Sequence, residues 1–183
     1  MHSIDCNNID VVNRLINKEV GAIFQGKMEL GPRALGNRSI IADARMKDGK
    51  DRVNIIKNRE WYRPFACSIL EEHAHDWFEM GVLKSSPWMS YAIPVKANKR
   101  KEIPAVIHVD GTCRLQTVNK EQNPLYYNLI EEFYKQTNIP LILNTSFNLA
   151  GQPMCFNPSK AVEIFKDSNL NFLYFIQLKK VVI

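Results

Sequence analysis

The stretch Gly31-Pro32-Arg33-Ala34-Leu35-Gly36-Asn37-Arg38-Ser39 places two glycines and two arginines within nine residues. A second basic cluster follows it, Lys57-Asn58-Arg59-Glu60-Trp61-Tyr62-Arg63-Pro64. Residues 26–66 contain ten Lys or Arg and five Asp or Glu, whereas the whole chain contains 24 and 19, so the entire positive excess lies in this region. Because glycine lets a backbone approach a ligand closely, this region predicts a binding site for a small polyanion.

Length and composition predict one soluble globular domain spanning residues 1–183. The 45% hydrophobic and 23% charged content is ordinary for that class. No apolar run is long enough to cross a membrane, and the first residues lack the order of a signal peptide, so we expect a cytoplasmic protein. The four cysteines form no C-x-x-C pair, which favours reduced thiols and argues against a zinc ribbon.

The hydrophobic pattern predicts helices and strands in alternation, which indicates an α/β layer fold. Asn123-Pro124 and Asn157-Pro158 each offer a cap and a pre-set first residue for a helix. The turn signal Asp110-Gly111 predicts a hairpin between strands at 105–109 and 114–118. The remaining predicted elements are helices over 8–19 and 47–58, and strands over 20–24, 64–70, 89–95 and 140–143, with one or two more in 172–183.

The two glycines of the first cluster have the G-x-x-x-x-G spacing of a phosphate-binding P-loop. An Asn-Arg pair stands where that motif requires Lys-Ser or Lys-Thr, so the Walker motif is excluded. What remains is a loop carrying Arg33 and Arg38, whose guanidiniums bind phosphate or carboxylate through paired donors. In the alternative, these arginines form internal ion pairs with Glu29 and Asp43.

Three further groups of polar residues each allow two interpretations. Lys57 and Arg59 either belong to the anion site or lie at a solvated helix end, where the dipole favours cations. The polar run 144–148 after a predicted strand either orients a ligand or satisfies its own turn. The segment 110–114 is either a plain hairpin turn or a turn that presents Arg114. The pair His73 and His75 lacks further ligands at metal-site spacing, so we expect no metal site there.

Four separate blocks, in this order, closely resemble the C-terminal domain of the O-carbamoyltransferases, a family of nodulation-factor and antibiotic-modifying enzymes. They are residues 25–40 (QGKMELGPRALGNRSI), 63–66 (RPFA), 108–117 (HVDGTCRLQT) and 143–148 (LNTSFN). The resemblance covers nearly the whole chain. It implies the YrdC-like fold of threonylcarbamoyl-adenylate synthase, a twisted mixed β-sheet with helices packed on its faces.

The resemblance also implies an activity. Such a domain binds ATP, with Mg²⁺, and carbamoyl phosphate, and it makes carbamoyl-adenylate with release of pyrophosphate. Three residues are assigned to catalysis by this resemblance: Lys57, Arg63 and Arg114. The residues assigned to binding of ATP and carbamoyl phosphate are Arg33, Arg38, Ser39, Arg59, Thr117, Asn144, Ser146 and Asn148. No general base is assigned, and Arg38 and Ser39 could instead hold the shape of the loop.

In the family, a preceding kinase-like domain with a histidine-bound metal transfers the carbamoyl group to a substrate hydroxyl. These 183 residues cannot supply that domain, so we expect the chain to work with an N-terminal domain or a separate subunit. Two other functions are open. The first is a basic module that binds double-stranded RNA, although a charge excess confined to 26–66 makes nucleic acid a poor partner. The second is a non-catalytic partner module with an exposed apolar face.

Overall fold

The computed structural model describes residues 2–183, which form a single nine-stranded mixed sheet with five α-helices. The strands lie in the order β1-β9-β8-β2-β3-β7-β4-β6-β5. The pairs β2–β8 and β4–β6 are parallel, and the other neighbours are antiparallel. The strands span β1 Ser3–Asp5, β2 Gly21–Phe24, β3 Arg38–Ala42, β4 Ala66–Leu70, β5 Tyr91–Pro94, β6 Thr112–Val118, β7 Leu141–Ser146, β8 Phe172–Phe175 and β9 Lys180–Val182.

Three of the five helices, α1, α4 and α5, begin at an asparagine whose side chain caps the first turn. Asn7 forms a capping box with Asp10, and the side chains of Asn123 and Asn157 accept hydrogen bonds from the first turns of their helices. Helices α1 and α4 pack against each other, and α4 also packs on β4 and β7. The helices span α1 Asn8–Ile16, α2 Gly49–Ile56, α3 Ala74–Trp77, α4 Pro124–Thr137 and α5 Pro158–Lys166.

The predicted α/β class with a mixed sheet and helices packed on it is confirmed, but two local predictions are wrong. Residues 105–109 do not form a strand, because Pro104–Val106 is a turn of 3-10 helix. The antiparallel partner of β6 is therefore β5, which lies earlier in the chain. Strand β3 was not predicted at all, since its polar start at Arg38 continues the glycine-rich loop.

The core fills the space between the sheet and the helices. Many of the largest fully buried side chains come from α1, α4 and the strands, and they include Leu15, Ile23, Ile40, Ile41, Phe133 and Phe172. Within residues 2–183, no helix is both long and apolar enough to cross a membrane. The four cysteines are free and buried.

The connection from β2 to β3 folds over the end of the sheet, and side chains hold its backbone in place. The carbonyl oxygens of Ala34, Leu35 and Gly36 accept hydrogen bonds from the side-chain amides of Asn144 (3.1 Å), Gln116 (3.0 Å) and Gln25 (2.8 Å), respectively. Because these three amides lie on three different strands or strand ends, the loop adopts its shape only when the sheet has formed.

Side chains near the two ends of the same loop accept hydrogen bonds from three of its N–H groups. One oxygen of Glu29, Oε1, accepts from the N–H groups of Leu35 and Asn37 at 2.8 Å each, and Ser39 Oγ accepts from Gly36 N–H at 3.0 Å. Buried backbone groups without partners are costly, so this full set of bonds gives the loop one defined conformation. We call residues 29–38 the anchored loop.

Gly36 is the position of the anchored loop that tolerates no side chain. Its φ is +104°, and an added Cβ would lie 2.2 Å from Cδ1 of the buried Tyr126. We predict that Gly36→Ala lowers the free energy of unfolding by at least about 2 kcal/mol, because the left-handed conformation and the clash add. For a chain of this length, that corresponds to a fall in melting temperature of about 4–8 °C, measurable by circular dichroism.

Gly31→Ala is the matched control for that prediction. Gly31 lies in the same loop, yet an added Cβ would meet nothing within 4 Å. We expect the melting temperature of Gly31→Ala to stay within about 2 °C of the wild type, since exposed substitutions usually change stability by less than 0.5 kcal/mol or so. Equal losses in the two variants would show that the loop is not anchored as described.

Candidate functional site

Lys57 follows directly after α2 and is buried, with only 3% of its surface exposed. Its ammonium group donates to the carbonyl oxygen of Ser146 and, at 2.9 Å each, to the carbonyl and Oδ1 oxygens of Asn148. The backbone carbonyl of Lys57 accepts from the N–H of Ala150 at 3.0 Å. The segment after β7 therefore wraps around Lys57, and the alternative of a solvated helix end is wrong for this residue.

Burial, with repulsion from Arg59 as a second cause, lowers the pKa of Lys57 from 10.5 to about 7. The charged form is disfavoured because the side chain has left water and has no carboxylate partner. An anion bound nearby would stabilise the ammonium form and raise this pKa again. The protonation of Lys57 near neutral pH is thus coupled to what occupies the space beside it.

A cavity of about 590 Å³ opens beside Lys57 and joins the second basic cluster to the segment after β7. Its volume lies in the range of small-molecule sites. The predicted residues Lys57, Arg59, Arg63, Ser146 and Asn148 all line it, although about 90 positions separate the two segments. We call it the phosphate cavity, after the ligand that the sequence analysis predicts for these residues. Its other lining residues are Asn58, Glu60, Leu149, Ala150 and Gly151.

Arg59 is held rigidly at this cavity. Its Nε donates to Oδ1 of Asn54 at 2.6 Å, and its guanidinium lies 4.3 Å from the ring centroid of Phe65. Its Nη2 is buried and has no hydrogen-bond partner among the described residues. Burial, followed by repulsion from Arg63 and Arg114, lowers the pKa of Arg59 to about 10. Arg59 therefore stays charged at neutral pH and offers an unused donor.

Asn54 is a site residue that the sequence analysis missed. Besides accepting from Arg59, its side-chain amide donates to the carbonyl oxygens of Trp61 at 3.0 Å and Arg63 at 3.1 Å. It thereby fixes the course of the loop that carries Arg63. The signal in the sequence was weak, since a single amide between apolar residues of a helix has no characteristic spacing.

Arg63 reaches the phosphate cavity from the exposed side. Its guanidinium pairs with Glu60, with Nε 2.6 Å from the carboxylate, and both side chains are about half exposed. Surface ion pairs of this kind contribute little to stability. A phosphate entering the cavity can therefore replace Glu60 as the partner of Arg63 at small cost.

Arg114 extends the cationic region across the sheet. In the strand register, Ala66 pairs with Arg114 on one side and with Asn144 on the other, so these three residues lie in one row across β6, β4 and β7. Arg114 Nε is buried without a partner among the described residues. Burial, followed by repulsion from Arg33, lowers the pKa of Arg114. Arg33 itself is exposed on the anchored loop.

Four other predicted site residues, Arg38, Ser39, Thr117 and Asn144, do not line the phosphate cavity, and their contacts are with the protein. Arg38 is buried, donates to carbonyl oxygens of residues 25, 26 and 37, and lies 3.6 Å from the ring centroid of Phe24. Ser39 accepts from the anchored loop, as described above. Neither arginine of the loop pairs with Glu29 or Asp43, because Asp43 pairs with Arg45 at 2.7 Å.

Asn144 and Thr117 are also buried within the sheet. Asn144 Nδ2 donates to the anchored loop and lies 2.9 Å from Ser68 Oγ, while its Oδ1 has no partner among the described residues. Thr117 Oγ1 accepts from the N–H of Ser86 at 2.9 Å. The contacts of these residues are with the protein itself, so their role in ligand binding stays a prediction.

Two of the histidines, His73 and His108, have partners within the protein. His73 lies 3.6 Å from Asp76, and its ring centroid lies 4.5 Å from that of Tyr134 at an interplanar angle of 56°. His108 contacts the carbonyl oxygen of Phe65 at 2.9 Å. Within residues 2–183, no group of three or more His, Cys, Asp or Glu side chains is placed to hold a metal ion.

Comparison with curated proteins shows relatives among nodulation proteins. The chain is 48% identical over 151 residues to nodulation protein NolNO of Sinorhizobium fredii, covering 81% of this chain and 22% of that protein. It is 46% identical over 161 residues to nodulation protein NolO of Bradyrhizobium diazoefficiens, covering 87% and 29%. It is 39% identical over 160 residues to nodulation protein U of Sinorhizobium fredii, covering 87% and 28%. The chain thus spans less than a third of the length of these relatives.

Two solved structures share the fold. The nucleotide- and phosphate-bound form of full-length HypF superposes with a TM-score of 0.66 at 18% identity, over 92% of this chain and 24% of that one. The H234A/Y235A variant of Sua5 from P. abyssi superposes with a TM-score of 0.58 at 10% identity, over 92% and 52%. At such identities the likeness concerns the fold alone.

The family follows from the extent of the sequence match. Residues 12–180 match the family described as Carbamoyltransferase C-terminus, which is nearly the whole chain. All four blocks quoted from the sequence fall inside this range, and so do all the residues of the phosphate cavity. The chain belongs to the Carbamoyltransferase C-terminus family.

Proposed function

We propose that this chain carries out the adenylate-forming half of an O-carbamoyl transfer. It would bind ATP and carbamoyl phosphate and produce carbamoyl-adenylate. The observation that carries the proposal is the convergence of Lys57, Arg59 and Arg63 with Ser146 and Asn148 on one cavity. Arg114 is close enough to repel Arg59, and Arg33 is close enough to repel Arg114. Membership of the family supports the reaction class.

The chemistry needs cations more than it needs a nucleophilic side chain. Water releases inorganic phosphate from carbamoyl phosphate and leaves a carbamate, whose oxygen then bonds to the α-phosphorus of ATP. The bond from that phosphorus to the bridging oxygen of pyrophosphate breaks. Charge builds on the α-phosphate oxygens in the transition state, and fixed donors aimed at them lower the barrier. The unused donors of Arg59 and Arg114 are such groups.

Magnesium would arrive as part of the nucleotide. A triphosphate carries Mg²⁺ on its own oxygens, and the cation needs one or two protein ligands at most. The carbamoyl-adenylate would pass to a substrate hydroxyl through an N-terminal kinase-like domain or subunit, which matches the small share of the relatives' length that this chain spans. The proposal places the protein in the cytoplasm, where both substrates are made.

RNA binding is a weaker interpretation of the same charges. Double-stranded RNA is contacted over a long face with many phosphates. Here the cations surround one cavity, and three of them are partly or fully buried. The geometry therefore favours a small anionic ligand over a duplex.

The first test removes one cation at a time and follows pyrophosphate. The protein is mixed with ATP-Mg²⁺ and carbamoyl phosphate, with carbamoyl phosphate omitted in the blank. We predict that Lys57→Met and Arg114→Met each lower the rate of pyrophosphate release about a hundredfold, as the loss of one donor to a developing charge does elsewhere.

The control for this test is Lys84→Met. Lys84 is exposed and lies outside the phosphate cavity, so its loss changes the net charge equally without touching the site. Its rate should equal that of the wild type. Undiminished release in the Lys57 and Arg114 variants, with melting temperatures showing folded protein, would contradict the proposal.

The second test uses the lowered pKa of Lys57. Below pH 7 the side chain of Lys57 is already an ammonium group before ATP binds. Above pH 7 it is mostly the neutral amine and must take up a proton when the anion binds. ATP affinity should therefore fall as pH rises from 7 to 9, with uptake of about one proton per ATP at pH 8. Calorimetry in buffers of different ionisation enthalpy measures this uptake directly.

Lys57→Met serves as the reference in the pH experiment. The titration of ATP itself is common to both proteins and cancels in the difference. Arg59, with a pKa of about 10, stays charged throughout and contributes nothing to the difference. A proton uptake that persists in Lys57→Met would assign it to another group.

A further inference from the structure

His108 connects two segments of the chain that carry cations of the site. Its Nε2 lies 2.9 Å from the carbonyl oxygen of Phe65, two residues after Arg63. Its Nδ1 lies 3.1 Å from Thr112 Oγ1, two residues before Arg114. The residue is partly buried, and its backbone N–H donates to the carbonyl of Thr112 at 2.8 Å. A single side chain therefore joins the segment of Arg63 to the start of the strand that carries Arg114.

Phe65 is the residue through which this connection reaches the phosphate cavity. Its side chain is buried, and its ring centroid lies 4.3 Å from the guanidinium of Arg59. A cation over an aromatic ring is attracted to it, more strongly when both have left water. The second support of Arg59 is Asn54 Oδ1, which accepts from its Nε at 2.6 Å. The place of Phe65 therefore helps to determine where the unused Nη2 donor of Arg59 lies, and His108 holds the backbone of Phe65.

The acceptors around His108 determine how many protons its ring carries. The carbonyl oxygen of Phe65 has no proton to give, so Nε2 donates to it. On the other side, Asp110 Oδ1 accepts from the N–H of Thr112 at 3.0 Å and from its hydroxyl at 2.8 Å. These hydrogen bonds from Thr112, and after them the proximity of His108, lower the pKa of Asp110. Asp110 is therefore ionised at neutral pH and acts only as an acceptor.

The hydroxyl of Thr112 has one proton, and Asp110 accepts it. The hydroxyl oxygen is then an acceptor toward His108, so Nδ1 must also carry a proton. A neutral ring would draw the hydroxyl proton to Nδ1 and leave two oxygens 2.8 Å apart with no proton between them. Arg100 of a neighbouring 3-10 helix also packs against this turn. The doubly protonated ring, a cation beside the carboxylate of Asp110, is thus the state that satisfies Phe65, Thr112 and Asp110 together.

We propose that His108, protonated on both ring nitrogens, is a positioning residue of the phosphate cavity. It ties the backbone of Phe65 to the turn 108–112 and thereby holds Arg59 in the orientation that a phosphate ligand requires. His108 does not line the cavity itself, so it acts through Arg59 and not on the ligand. The inference rests on the proposed function, because it takes the ligand of Arg59 to be a chain of phosphates.

The first experiment compares two amides that differ by one methylene group. His108→Gln places its amide nitrogen near the position of Nε2, from which it can donate to Phe65, whereas the shorter His108→Asn reaches only the position of Nδ1. Calorimetry measures the binding of inorganic tripolyphosphate. We predict that His108→Asn weakens this binding about tenfold, the effect of losing one hydrogen bond, and that His108→Gln stays within about threefold of the wild type.

Two controls separate positioning from a general loss of stability. His75→Asn changes an exposed histidine outside the cavity and should bind tripolyphosphate as the wild type does. In an Arg59→Met background, His108→Asn should weaken binding by less than about twofold, because the group that His108 positions is already gone. In a Lys57→Met background the loss should stay about tenfold, since Asn148 and not Phe65 holds Lys57. Equal losses in the two backgrounds, or equal affinities of the two amide variants, would refute the role of His108.

The second experiment detects the protons of the ring. Nitrogen-15 NMR of histidine-labelled protein at pH 7 should show both ring nitrogens of His108 protonated, with its signals assigned by their absence from His108→Gln. Asp110→Asn can donate an amide N–H to Thr112, which frees the hydroxyl proton for Nδ1, so the ring should become neutral with its proton on Nε2. Asp76→Asn, which changes the partner of His73, should leave the signals of His108 unchanged. A neutral ring in the wild type, or unchanged ring protonation in Asp110→Asn, would contradict the charged state.

The outcomes keep this inference apart from the proposed function. If Lys57→Met weakens tripolyphosphate binding and His108→Asn does not, the phosphate cavity stands and the positioning role is refuted. If the wild type does not bind tripolyphosphate, or if Lys57→Met binds it equally well, the proposed function fails and the role of His108 fails with it. Where an amide variant does not fold, Thr112→Val takes its place, since it removes the hydroxyl and leaves the imidazole. Unchanged tripolyphosphate binding in that variant would also refute the positioning role.

Discussion

The arrangement of this site depends on one constraint: the buried backbone of the anchored loop must find hydrogen-bond partners outside itself. Three consecutive carbonyl oxygens have side-chain amides as partners, from Gln25, Gln116 and Asn144. Glu29 and Ser39 accept from the N–H groups between them. Because an unpaired buried carbonyl costs as much as a lost hydrogen bond, loss of any one partner would release the loop. The loop in turn determines where Arg33 and Leu30 lie.

A second feature of the site is its group of buried positive charges. Burial and repulsion from neighbouring arginines lower the pKa values of Lys57, Arg59 and Arg114, an arrangement that costs stability. Neutral oxygens partly offset this cost in stability. Carbonyl oxygens accept hydrogen bonds from Lys57, and Asn54 Oδ1 accepts one from Arg59. Repulsion that a polyanion removes is free energy available for binding, which is why such clusters mark functional sites. The proposed polyanionic ligand would compensate for this cost in stability.

Much of the fold, the charge distribution and the family could be predicted from the amino-acid sequence. The capped helices after Asn123 and Asn157, the alternation of helices and strands, and the concentration of charge in 26–66 all depend on local chemistry, and each appears in the structure. The four sequence blocks were sufficient to indicate the family. The strand predicted at 105–109 failed because Pro104 and the packing of the following residues favour a tight turn over an extended ladder. Strand β3 was not predicted because its polar start continues the glycine-rich loop and because its pairing with β7 depends on residues 143–146, far along the chain.

The sequence by itself determined the fold class, the family and the identity of the cationic residues, because periodicity, caps and motifs are local properties of a chain. Only the tertiary structure decided which of those residues share a cavity. It brought Lys57 to Asn148, and it buried the side chain of Arg38 against Phe24. It also left one oxygen of Glu29, Oε2, buried without a partner among residues 2–183. Which polar atom is left without a partner depends on every neighbour in space, and a linear pattern does not contain that information.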